Sequence, residues 1–124
     1  MELDIKKIDK LERKFLQKSI SILNKKKVSK KDVNDINEAF EKYLNKVGAE
    51  PLVIYRTAEI ILKGTGYSLN STLEENVEYM KQIIIQENNN TFKVILVGTI
   101  SKIVVAERVT KAEENKDGRP ITDR

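Results

Sequence analysis

In three segments between Ile5 and Ile84 the apolar residues of this chain recur at three- and four-residue steps, and that spacing restricts those segments to amphipathic helices. Ile5, Ile8, Leu11, Phe15, Leu16, Ile20 and Leu23 make one stripe and predict a helix over about Asp4 to Asn24. Its other face carries Lys6, Lys7, Lys10, Arg13, Lys14 and Lys18, and Asn24-Lys25-Lys26-Lys27 closes it. A second stripe runs through Val33, Ile36, Phe40, Tyr43, Leu44 and Val47. Ser29 and Asp32 supply a capping box for its start, Val28 and Val33 a hydrophobic staple, and Gly48 a left-handed C-cap.

A third helix begins at Pro51, a favoured first helical position. Leu52, Val53, Ile54, Tyr55, Ala58, Ile60, Ile61 and Leu62 cover most of its circumference, which predicts a central, buried helix ended by Gly64-Thr65-Gly66. Ser71-Thr72-Leu73-Glu74 reads as the capping box of a fourth helix, with Leu73, Val77, Met80, Ile83 and Ile84 as its stripe and Asn88-Asn89-Asn90 as its stop.

From Thr91 to Lys111 two patterns compete. Phe92, Ile95, Leu96, Thr99, Ile103 and Ala106 fit a helical face, while the density of Thr, Val and Ile favours strands. No Asn-Gly or Asp-Gly supports a hairpin turn at Gly98-Thr99, so helix is preferred. The expectation is an all-α bundle of four to five helices. The alternative is an α+β fold with a C-terminal β-hairpin at about 92–109. Residues 1–111 form the single helical domain with a basic first helix, and 112–124 a polar, flexible tail.

Charge is distributed unevenly. Residues 1–31 carry a balance of +7, residues 32–90 of −5 and residues 91–124 of +2. Such asymmetry suits an anionic partner at the basic end. Lys25, Lys26, Lys27, Lys30 and Lys31 flank one loop, with Lys14 and Lys18 one and two turns back. Clustered lysines are sufficient for phosphate contacts, since affinity there comes from counterion release. Without arginines or interleaved aromatics they offer no base-specific readout.

The 124 residues include no His and no Cys, which excludes Ser-His and Cys-His nucleophiles, HExxH zinc sites and disulfide frameworks. Glu74 and Glu78 share a helix face, but an acidic first turn suits the helix dipole without any metal. Gly64-Thr65-Gly66 lacks the third glycine of GxGxxG and the Gly-Lys-Ser/Thr of a phosphate loop. A helix-turn-helix through Gly48 would put Leu44 at a small-residue position and offer bases only Arg56. No catalytic residue, cofactor, metal or small-molecule substrate is expected.

The longest apolar stretch, Val94 to Ile100, is too short to span a bilayer, and no secretion signal is evident, so a cytoplasmic protein is expected. Heavy use of Lys, Asn and Ile fits an AT-rich genome, that of a low-GC bacterium or of its phages and plasmids. The expected function is a non-enzymatic interaction module, regulatory or assembly in role, working through a protein partner or self-association. The alternative is a nucleic-acid-binding accessory protein using Lys14, Lys18, Lys25, Lys26, Lys27, Lys30 and Lys31 on phosphates.

Overall fold

The computed structural model describes residues 4–116, with side chains described to residue 106. In chain order the helices are α1 (Ile5–Leu23), α2 (Lys30–Val47), α3 (Pro51–Gly64), α4 (Leu73–Gln86) and α5 (Asn90–Lys116). The fold is an all-α bundle, and the segment that could have been a hairpin is one continuous helix. That helix carries residues 112–116 of the expected tail, while 117–124 lie outside the described residues.

Side chains start most of these helices. Asp4 accepts from the backbone N–H of Lys6 and Lys7, at 3.0 and 3.3 Å, and opens α1. In α2 the expected capping box forms: the Asp32 N–H donates to Ser29 Oγ at 3.2 Å, and the Ser29 N–H donates to Asp32 Oδ2 at 2.9 Å. Gly48 closes α2 at φ 70°, a left-handed conformation that a side chain would strain. The box of α4 sits one residue later than expected, on Thr72 and Glu75 rather than Ser71 and Glu74. The Ser71 hydroxyl is already spent, donating to Ser68 O at 2.7 Å inside the preceding turn. Asn89, read as part of a stop, also starts α5 by accepting from the Phe92 N–H at 3.1 Å.

The largest correction concerns which helix is central. The sequence pointed to α3; the structure puts α5 there, in contact with all four other helices. Val94, Leu96, Val97, Ile100 and Val104 are buried, and so are the small residues Gly98, Thr99 and Ser101. Small residues let neighbouring helices approach closely. Burial around most of the helix also overrides the modest helix penalty of its β-branched residues. Phe92, expected on the inner face, is 46% exposed.

On α3 only Ala58 and Leu62 are buried, with Ile54 and Tyr55 partly covered. Leu52, Val53, Ile60 and Ile61 are exposed at 55, 59, 72 and 36%. The helix packs on α5 along one side, and no described residue covers the opposite side. On α1 the stripe residues Phe15, Leu16 and Leu23 are buried as expected and Leu11 is partly so, while Glu12, Ser19 and Ile22 join the buried face and Ile5 and Ile20 are exposed. The stripe on α2 is buried as expected, with Val47 partly so. Phe40 sits at the centre, its ring 6.0 Å from Phe15, 6.4 Å from Tyr43 and 6.1 Å from Tyr55.

Candidate functional site: a lysine-walled groove and a bare apolar helix face

Helices α1 and α2 run antiparallel. Lys25 meets Asp32, Phe15 meets Phe40 and Glu12 meets Tyr43, so one helix ascends in sequence as the other descends. Their packing leaves a groove of about 270 Å³ lined by Leu11, Phe15, Ala39 and Tyr43 together with Lys14, Lys18, Lys42, Lys46 and Glu38. The four lysines are exposed and lack ion-pair partners among the described residues. A shallower hollow of about 660 Å³ continues outward over α1 past Lys6, Lys10, Arg13 and Lys14.

A buried carboxylate fixes the floor of this groove. Glu12 is 3% exposed and accepts from the Tyr43 hydroxyl at 2.6 Å and the Thr91 hydroxyl at 2.9 Å. These bonds tie α1 to α2 and α5, and they satisfy a charge whose burial would otherwise be costly. Burial first, and the adjacent Glu12 carboxylate second, raise the Tyr43 phenol above its ordinary pKa. No local pattern singles out Glu12, which lies between Leu11 and Arg13 on a helix otherwise rich in lysine.

Of the expected phosphate-binding lysines, Lys14 and Lys18 line the groove and the other five are not among its lining residues. Lys25 is engaged: it donates to Asp32 Oδ1 at 2.8 Å, and with the Ser29 N–H it holds the Asp32 carboxyl down at about 2. Lys26, Lys27, Lys30 and Lys31 are exposed near the loop between α1 and α2, at the Lys25–Asp32 end of the helix pair, with no ion-pair partner among the described residues. Lys42 and Lys46, which also line the groove, stand in the acidic middle of the chain and so outside the basic cluster. Their four-residue spacing, matching that of Lys14 and Lys18, was the available signal.

A different kind of surface lies on α3. Val53 and Ile60 are two helical turns apart and share one direction, with Leu52 and Ile61 flanking them and the exposed Arg56 and Thr57 between. The inner side of α3 is fixed by Tyr55, whose hydroxyl donates to Glu41 of α2 while Lys102 of α5 stands 3.6 Å from Glu41 and 5.6 Å from the Tyr55 ring. Burial, and then Glu41, raise the Tyr55 phenol as well.

Among the described residues no group of three or more His, Cys, Asp or Glu is placed to hold a metal ion. No helix among them is long and apolar enough to cross a membrane. The chain matches no family model, no curated protein and no solved structure.

Proposed function

We propose that the protein is a non-enzymatic regulatory or assembly component that works through protein–protein contacts. The bare apolar face of α3 carries this reading. A helix anchored on one side by Tyr55, Ala58 and Leu62 and left uncovered at Leu52, Val53, Ile60 and Ile61 keeps four large apolar side chains in water, two on either side of Arg56 and Thr57. Such a surface carries a solubility cost unless a partner covers it. The lack of His and Cys, which leaves the ordinary nucleophile and acid–base sets unfilled, is consistent with the same reading.

A photo-cross-linkable residue placed at Ile60 in the living cell tests it. The expected result is a protein adduct, to this chain or another, that disappears when Val53 is replaced by Lys. A folded protein giving no adduct, or an adduct indifferent to Val53→Lys, contradicts the reading.

The groove favours a second reading, contact with nucleic-acid phosphates. Four lysines without ion-pair partners among the described residues stand around one depression, and a phosphate backbone needs little more than clustered cations. The apolar floor and Glu38 fit that reading less well.

A further inference from the structure

We propose that the bare face of α3 pairs with α3 of a second copy of this chain, antiparallel and centred between Arg56 and Thr57. The inference rests on the reading of α3 as a protein-contact surface and names its partner. The exposed apolar residues come as two doublets, Leu52-Val53 and Ile60-Ile61, equally far in sequence from the Arg56–Thr57 midpoint. A two-fold axis at that midpoint, perpendicular to the helix, sets Val53 of one copy against Ile60 of the other, twice. This is the self-complementarity an isologous dimer requires.

Charge selects the direction. A parallel pair would place Glu50 beside Glu50 and Lys63 beside Lys63, all exposed, whereas Arg56 lies beside its own copy in either direction. The antiparallel pair brings the Glu50 end of one helix to the Lys63 end of the other and opposes the two helix dipoles.

Size sets the strength. Fourteen residues of helix span about 21 Å. One face of that length is smaller than the roughly 800 Å² per partner of a standard interface. The pair is therefore a weak one, of the kind that forms at high protein concentration.

Because the chain has no cysteine, single cysteines report the register. Oxidising a mixture of Val53→Cys and Ile60→Cys proteins is expected to give a disulfide-linked dimer, and Arg56→Cys alone is expected to link to itself. Val53→Cys alone is expected to stay unlinked, since its two copies are offset by seven residues, about 10 Å along the axis, beyond the ~7 Å Cα separation a disulfide tolerates. All three sites are exposed, and circular dichroism confirms that each variant folds.

Efficient self-linking of Val53→Cys overturns the antiparallel register. Absence of linking in every combination, with wild-type protein monomeric by sedimentation at ~1 mM, overturns the second-copy inference. If position 60 then cross-links a different protein in the cell, the contact-surface reading stands and this inference alone falls.

Discussion

The ring of Phe40 occupies the space that a side chain on Gly98 would need; a Cβ built there overlaps the ring carbons. Helix α5 thus passes close to α2 at its midpoint, and both residues are buried. Ser101 returns its hydroxyl to Gly98 O at 2.6 Å, closing the same turn.

Gly98→Ala therefore goes against the usual trend. In an exposed helix, Gly to Ala gains about 1 kcal/mol. Here the overlap with Phe40 is expected to reverse that, for a net loss of about 1–3 kcal/mol, typical of overpacking. Urea unfolding measures it. In a Phe40→Leu background the same substitution is expected to cost less, and a double-mutant cycle reads the coupling.

Helix α3 separates two kinds of apolar residue. Leu62→Ala, at a buried site, is expected to cost about 2–5 kcal/mol. Ile60→Lys, at a site 72% exposed, is expected to stay within about 0.5 kcal/mol of wild type and to raise solubility. Thermal and urea unfolding of the two variants under matched conditions check the contrast.

How much of this was legible in the sequence follows from what sets each feature. Helix starts are local. Ser29 with Asp32, Gly48 and Pro51 act through neighbouring backbone groups, and all took the expected roles. Burial is not local. Apolar count made α3 look central, yet coverage depends on which helices lie alongside. Gly98, weighed in the sequence as part of a possible hairpin turn, is buried against Phe40 in α5 together with the small residues Thr99 and Ser101. The groove was half visible: Lys14 and Lys18 stood out in a basic stretch, while Lys42 and Lys46 join them only through the antiparallel packing of α1 on α2.

The Glu12–Tyr43 bond is expected to weaken the protein in alkali. The folded-state pKa of Tyr43 lies above its ordinary value of 10.0. The associated stability is complete below that value and is lost as pH climbs past it toward the raised folded-state pKa. Urea midpoints from pH 9 to 11 are expected to fall, and to fall less in Tyr43→Phe. At neutral pH Tyr43→Phe is expected to cost about 1.5–3 kcal/mol, the range for hydrogen bonds to charged groups.

Asp32 is expected to titrate low. Its carboxyl sits at about 2 rather than 3.8, chiefly through the Lys25 hydrogen bond. Because the folded-state pKa is depressed, its contribution is present above pH 4 and fades between about 4 and 2. Carboxyl carbon NMR is expected to show the midpoint rising toward 3.8 in Lys25→Ala. An unmoved midpoint would show that Ser29, through its backbone N–H and its hydroxyl, holds it without Lys25.

If the groove contacts phosphate, duplex DNA binding measured by fluorescence anisotropy is expected to weaken steeply between ~50 and ~200 mM salt. Replacing Lys14, Lys18, Lys42 and Lys46 by Gln should abolish it, while Lys25→Gln should change it little, since Lys25 is held by Asp32. No binding at the lower salt removes the nucleic-acid reading.

The most direct test of the central claim, that α3 is a contact surface for a second copy of the chain, is amide NMR of the full chain over a concentration series from ~20 μM to ~2 mM. The expected result is concentration-dependent movement confined to Leu52, Val53, Arg56, Thr57, Ile60 and Ile61, absent in Ile60→Lys. Movement centred on the α1–α2 groove, with α3 unchanged, would contradict it.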